Sequence, residues 1–431
     1  MVRGCRAPLL LPSAFSVCVL FTASCTTGSV AGSVDLQLEL AATALSKGRF
    51  EEAVELVAEA RRHNPRNVNA ARWSGLIAEL LWQDDLAIDE QMAAIRLARP
   101  RASLMELSSL RGQLGDRLFQ AGRWGESATP LFAGAIGKEI ERRRAFAIIA
   151  AQLPFNRQFA GPVVTEQPML SGTAPEFVCG TGGLLRPFAI DTGTSMTTVG
   201  ETFADELGVV SRRAAGSAVD GTGRKLAIEV GLLRRFRVGN VDIGDVPVLV
   251  VADSALRLRD LRGGPERVPR GVLGLDLLAA CQLTLDPERG SVVLELPRGL
   301  SSIDSVQCVR ADGRCLVPVV IEGRRLWFVL DTGASHSSLT TLGLEAMRGR
   351  ESRAVPSFRR VRTVGGGLVA VREVTGLVVR CSDARFVRVT LPVIDRGRSS
   401  LFPVHGVLGV DLLSRCRVTL DRGRARLTAV R

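Results

Sequence analysis

The chain has 431 residues, of which 46% are hydrophobic and 23% charged. That balance excludes a disordered polypeptide and leaves room for two or three domains with full cores. The formal charge of +12 raises the question of a nucleic-acid partner, but Lys stands only at positions 47, 138 and 225 and the remaining excess is scattered Arg. With no Tyr and 5% aromatic residues, the chain lacks the basic stripe and stacking rings of a nucleic-acid surface. What the charge leaves open is attraction to anionic surfaces or acidic substrates.

Residues 1–24 read as an export signal. Arg3 and Arg6 form a positive start, Leu9 to Phe21 an apolar stretch broken by Pro12 and two Ser, and Thr22-Ala23-Ser24 a small-residue end before Cys25. The stretch is too short to count as a membrane span. Ala-Ser-Cys resembles a bacterial lipobox, with Thr22 where Leu or Val is usual. The resemblance implies an exported bacterial protein, periplasmic or held to a membrane through an acylated Cys25. A plain secretory signal is the alternative. Besides Cys5, Cys18 and Cys25, six Cys remain. Cys281 and Cys416 hold matching places after a shared Asp-Leu-Leu and read as small buried hydrophobes. Cys308 and Cys315 flank the turn at 310–314, where a hairpin disulfide suits an oxidising compartment. With three His and no Cys-x-x-Cys spacing, the reading contains no metal site.

Residues 34–153 carry apolar positions at three- and four-residue intervals, with Gly48 breaking the first run into two helices. Ala53 and Ala87 are 34 apart, Pro65 and Pro100 are 35 apart, and GRFEEA at 48–53 returns as GRWGES at 122–127. This resembles tetratricopeptide repeats. Two readings stand: a groove for a protein or peptide partner, or a prop for the remainder of the chain. The Pro- and Gly-containing segment 154–175 reads as a linker.

From residue 176 the pattern changes to strands. EFVCGTGGLLRPFAIDTG reads as a hairpin ending on an Asp, and CLVPVVIEGRRLWFVLDTG repeats that layout with a turn at Glu322-Gly323. The stretch AIDTGTS at 189–195 therefore returns as VLDTGAS at 329–335, and GVLGLDLLAACQLTLD at 271–286 returns as GVLGVDLLSRCRVTLD at 406–421. Asp191 and Asp276 are 85 residues apart, and Asp331 and Asp411 are 80 apart. Equal landmarks in equal order mean an internal duplication.

Asp-Thr-Gly-(Thr/Ala)-Ser followed by an apolar-apolar-Gly segment resembles the aspartic protease superfamily. Each repeat is similar to one retropepsin lobe, and the pair in one chain is similar to pepsin. The fold class expected is therefore an all-α helical-repeat N-domain followed by an all-β two-lobed aspartic-protease-like domain, with lobes at 176–300 and 301–431. The resemblance implies Asp191 and Asp331 as a catalytic dyad acting on a polypeptide through an activated water, with no cofactor. Thr192 and Thr332 correspond to the threonines that bond across the pseudo-twofold axis. Gly193 and Gly333 give the tight turn, and Thr194, Ser195 and Ser335 are candidates to orient the carboxylates, with Ala334 at the place matching Thr194. The hydroxyl of Thr194 predicts Asp191 as the readier to ionise and Asp331 as holder of the shared proton. Gly-rich hairpins at 220–230 and 364–374, with Gly221, Gly223, Gly365, Gly366 and Gly367, stand where the family carries its flaps. The runner-up function is a non-catalytic peptide-binding or scaffolding lipoprotein acting through its helices.

Other polar residues read as structural. Asp276 and Asp411 look like N-caps of the short helices they begin. His336 is expected to point away from the dyad, and His405 to sit in a turn. Ser195 has no Gly-x-Ser-x-Gly setting to make it a hydrolase nucleophile.

If Cys25 carries the acyl chains, Cys25→Ala moves the protein from the membrane fraction to the soluble one. Metabolic labelling with a fatty-acid probe checks it, and an unlabelled, wholly soluble wild type returns the segment to a plain signal.

Overall fold

The computed structural model describes residues 29–137, 140–154, 164–169, 175–181, 183–219, 225–256, 269–347, 355–362, 368–394 and 402–430. The leader with Cys25, and the flap-tip glycines Gly221, Gly223, Gly365, Gly366 and Gly367, lie outside the described residues. An all-α region comes first, and an all-β, two-lobed region comes after it.

The helices are α1 (Ser29–Ser46), α2 (Phe50–His63), α3 (Val68–Leu80), α4 (Asp84–Ala98), α5 (Leu104–Gln120), α6 (Trp124–Ala133) and α7 (Ile140–Ala150). In α2 the buried positions are Phe50, Ala53, Val57 and Ala60, one stripe at helical spacing. Gly48 takes φ +71° between α1 and α2, and Gly122 takes φ +76° between α5 and α6. The two matching hexapeptides therefore make matching left-handed breaks. A capping box between Ser103 and Glu106 fixes the start of α5.

In each lobe a hairpin delivers an Asp to the end of a buried strand. Glu176–Thr181 pairs with Leu184–Ile190, and Arg314–Ile321 pairs with Arg324–Leu330. The turn between the second pair is Glu322-Gly323, both with φ above zero, the twist a two-residue hairpin favours. The strand ending on each Asp then runs parallel to a Gly-Val-Leu strand. Ile190 is opposite Leu273, and Leu330 is opposite Leu408. The repeated apolar-apolar-Gly segments thus lie directly behind the repeated Asp loops.

Beneath both lobes lies a sheet that is six-stranded among the described residues. Its order is Val164–Pro168, Ser291–Glu295, Gln282–Asp286, Cys416–Asp421, Arg424–Ala429, Val306–Gln307. Its centre is formed by the tails of the second repeated motif. Gln282–Asp286 pairs antiparallel with Cys416–Asp421, Thr284 facing Thr419 with their hydroxyls 3.4 Å apart. The segment read as a linker supplies the edge strand Val164–Pro168, paired with Ser291–Glu295. Its Pro168 stands at the strand's end, where a missing N–H is tolerated.

The helices pack against both lobes. Trp327, 1% exposed, donates its indole N–H to the carbonyl of Gly48 at 2.9 Å. Phe50, Trp327 and Phe402 meet edge to face, with centroids 5.2–6.2 Å apart. Arg310 of the second lobe pairs with Asp84 and lies 5.0 Å over the Trp82 ring. On the other side α7 packs against the hairpin strands Val210–Val219 and Lys225–Leu233 of the first lobe.

The six described cysteines are free thiols. Cys308 and Cys315 touch through a hydrogen bond but are not joined. The hairpin register sets Arg310, not Cys308, opposite Cys315, so the two thiols meet only on the diagonal. Cys416 is buried as expected, and Cys281 is half-buried.

Trp327 fills the seam between helices and lobe, so Trp327→Ala is expected to cost about 3–5 kcal/mol of unfolding free energy. Urea denaturation measures it. A loss under about 1 kcal/mol would mean that this seam contributes nothing to stability.

Candidate active site

The two Asp-Thr-Gly loops meet tip to tip, 140 residues apart in sequence. The N–H of Thr192 donates to Thr332 Oγ1 at 3.1 Å, and the N–H of Thr332 donates to Thr192 Oγ1 at 3.2 Å. Each hydroxyl passes its own hydrogen across the axis, Thr192 to the Leu330 carbonyl and Thr332 to the Ile190 carbonyl, both at 2.6 Å. Both threonines are 1% exposed. Every polar group in this cross-link has a partner, as burial requires.

The glycines are dictated by the opposite carboxylate. A Cβ on Gly193 would lie 2.6 Å from Asp331 Cγ, and one on Gly333 would lie 2.4 Å from Asp191 Cγ. Neither loop can hold a larger residue while the partner's acid stays in place. Asp191 Oδ1 accepts from the Gly193 N–H at 2.8 Å, and Oδ2 accepts from the Thr194 hydroxyl at 2.9 Å. Asp331 Oδ1 accepts from the N–H groups of Gly333 at 3.1 Å and Ala334 at 2.8 Å.

These bonds even out the donors that the sequence made unequal. Thr194 donates to Asp191, but Ala334 meets the same need in the second loop with its backbone N–H. The missing hydroxyl therefore leaves Asp331 no poorer in donors. Burial, and after it the neighbouring charge of Asp331, push the Asp191 carboxyl up to about 7, against the opposing pull of Thr194 and Gly193. The two carboxyls therefore keep one proton between them near neutrality.

The serines are placed otherwise than expected. Among the described residues neither Ser195 nor Ser335 donates to a carboxylate; the donors come from the two residues after each Asp-Thr. By Ser195 the chain has turned away, and its side chain faces Gly313 of the other lobe, where a Cβ would lie 2.7 Å from Ser195 Cβ.

Asp276 and Asp411 do not cap helices. The N-cap positions fall on Gly274 and Gly409. Asp276 Oδ1 instead accepts from the N–H of Thr197 at 2.8 Å and its hydroxyl at 2.9 Å. Asp411 Oδ1 takes the same bonds from Ser337, at 2.8 and 2.6 Å. Each hydroxyl accepts in turn from the glycine N–H, Gly274 at 3.2 Å and Gly409 at 2.9 Å. The pair is structural, and it fastens each Asp loop to the segment behind it. Sequence spacing hid this, because the partners lie 79 and 74 residues away.

His405 is buried rather than held in an open turn. Its Nδ1 accepts from the Trp327 N–H at 3.0 Å, and its own N–H donates to the Trp327 carbonyl at 2.8 Å. Burial pushes it down to about 4. His336 is half-buried.

The raised Asp191 links stability to pH. Its folded value of about 7 lies above the ordinary carboxyl value near 4. The unfolded chain therefore ionises first, and the protonated folded form loses its advantage as pH rises from about 4 through about 7. His405, pushed down to about 4, acts with the opposite sign below about 6.5. The difference between wild type and Asp191→Asn isolates the carboxyl. Asp191→Asn should gain on the wild type between pH 4 and 8, by up to about 4 kcal/mol. Denaturation curves at both pH values test this, and a constant difference would remove the proton from Asp191.

Similarity to a known family follows the two lobes. A family model described as Aspartyl protease matches residues 179–277 and 317–412, one segment in each lobe. No curated protein matches the chain. Among solved structures, basic 7S globulin from soybean is 14% identical, covering 62% of this chain and 95% of its own, with a TM-score of 0.37. Conglutin gamma, a basic 7S globulin from lupine seeds, is 12% identical over 62% of this chain and 95% of its own, with a TM-score of 0.36. A chain titled MamA MSR-1 C2 is 21% identical over 28% of this chain and 68% of its own, with a TM-score of 0.23. The two matched segments coincide with the two lobes, and the β-rich part of the chain has the aspartic-protease-like fold.

Proposed function

We propose that the chain is an aspartic endopeptidase that hydrolyses polypeptides with a water activated between Asp191 and Asp331. The observation that carries this reading is the pair itself. Two carboxyls face each other across reciprocal threonine bonds, and one is pushed up to about 7. A single shared proton provides both an acid and a base at once. Asp331, ionised, takes a proton from the water while the water oxygen bonds to the scissile carbonyl carbon. Asp191 gives its proton to the carbonyl oxygen. In the collapse of the diol the C–N bond breaks, Asp331 passes its new proton to the leaving nitrogen, and Asp191 recovers one from a diol hydroxyl. One water is consumed and the dyad returns to its starting state.

The hairpins Val210–Val219 with Lys225–Leu233, and Val355–Arg362 with Leu368–Cys381, support flaps over a bound polypeptide. The helical region, packed on both lobes, serves in this reading as a prop for the catalytic unit. The leader reading adds export and anchoring through Cys25.

Asp191→Asn and Asp331→Asn should each lower cleavage of a random peptide library by about 10³-fold or more, with the double variant little worse, because the halves act as a unit. Wild-type activity should fall as pH rises through about 7, where Asp191 loses the proton it donates. A folded single variant that keeps a tenth of wild-type activity would defeat the proposal.

A further inference from the structure

The second lobe turns exposed arginines outward on the sheet face opposite its core. Leu368–Cys381 and Ala384–Val393 are neighbouring strands inside that sheet. Val379, Cys381, Ala384 and Phe386 point into the core, and strand alternation sends Arg380 and Arg385 the other way, both exposed. The register sets these two directly opposite each other, and the same row continues across the sheet through Val320 to Arg325. Beyond Val379 the register slips, because Leu377 faces Val389 while Val379 faces Phe386. Val387 and Arg388 are left to face the single residue Val378, two against one, which is a β-bulge. Arg388 is exposed and takes φ +53°, in the left-handed region, beside Val387, which is 55% exposed.

The nearby carboxylates are engaged elsewhere. Glu51 pairs with Arg325 at 2.7 Å, and Asp383 in the hairpin turn pairs with Arg426 at 3.7 Å. Arg380, Arg385 and Arg388 pair with no carboxylate among the described residues. Like charges directly opposite each other destabilise a sheet, and an anion laid across the face offsets that repulsion.

The kind of anion follows from what the face presents. Both strands lie inside the sheet, with their backbone groups toward neighbouring strands, so no peptide strand can be added along them. Only side chains meet the partner: three guanidinium groups around an exposed valine. Guanidinium groups bind phosphate oxygens in a bidentate fashion. A bilayer with anionic lipids presents phosphates densely, with apolar surface just beneath them. The formal charge of +12 draws the chain toward the same kind of surface.

We propose that this face of the second lobe lies on an anionic lipid bilayer, with Arg380, Arg385 and Arg388 on head-group phosphates. The contact is separate from an acyl chain on Cys25, and it does not depend on whether the dyad hydrolyses peptides.

Sedimentation with vesicles of phosphatidylcholine, alone or mixed with phosphatidylglycerol, tests this on the full chain. Every chain compared carries Cys25→Ala and the same leader, so neither an acyl group nor the leader contributes to a difference. Binding should be at least about tenfold tighter to the mixed vesicles, and should weaken as salt rises. Arg380→Gln together with Arg385→Gln should lower it about 25-fold, at roughly fivefold for each arginine near the surface. Arg186 and Arg213 are exposed on the first lobe. Removing the same charge there, as Arg186→Gln with Arg213→Gln, should change binding by no more than about threefold. Circular dichroism checks that both double variants fold. Equal binding to the two kinds of vesicle, or equal losses in the two double variants, overturns the proposal. So does failure to bind the mixed vesicles, and binding of polyglutamate in that case assigns the face to an acidic polypeptide instead.

Discussion

Two buried threonine hydroxyls set the distance between the two acids, and the rest of the site depends on that distance. Each hydroxyl accepts from the opposite loop's N–H and donates to the opposite strand's last carbonyl. Four such bonds, each contributing about 0.5–1.5 kcal/mol net, oppose the repulsion that two ionised carboxylates would exert at contact. A proton shared by the pair removes most of that repulsion. Geometry and protonation are therefore one problem: the threonines bring the acids together, and proximity keeps one of them neutral. Gly193 and Gly333 are the steric counterpart, since each must leave room for the other loop's carboxyl.

Around this point the duplication is used twice. Within a lobe, the apolar-apolar-Gly strand runs parallel to the strand that ends on the Asp, and the Asp after that Gly fastens the loop through Thr197 or Ser337. Between lobes, the tails of the same motif pair with each other, Thr284 opposite Thr419. One repeated segment thus supports its own Asp loop at one end and joins the two lobes at the other. The helices add a third tie, through Trp327 on the second lobe and α7 on the first. Domain closure of the lobes would have to shear these packed seams.

The parts legible in the sequence were those encoded locally. Asp-Thr-Gly names its own turn, Glu322-Gly323 names a hairpin, and Gly48 breaks a helix, because in each the backbone preference of a few residues decides the outcome. What escaped depends on partners far along the chain. Asp276 stands at the start of a short helix, a place that resembles a cap, while its bonds lie 79 residues back. Residues 164–168 look like linker because the segment around them holds Pro and Gly, yet strand Ser291–Glu295 supplies the pairing that makes them a strand. His405 beside a Gly reads as turn, and only the register with Trp327 shows it to be a buried acceptor.

The proton assignment shows why side-chain identity alone misleads at such a site. Comparing Thr194 with Ala334 suggests that one acid has a hydroxyl donor and the other has none. The backbone contradicts this, because the Ala334 N–H sits 2.8 Å from Asp331 Oδ1 and gives that carboxyl its second donor. With two donors on each acid, the count of hydrogen bonds no longer separates them. What pushes the Asp191 carboxyl up to about 7 is burial first and the neighbouring charge second, both acting against the pull of its own two donors.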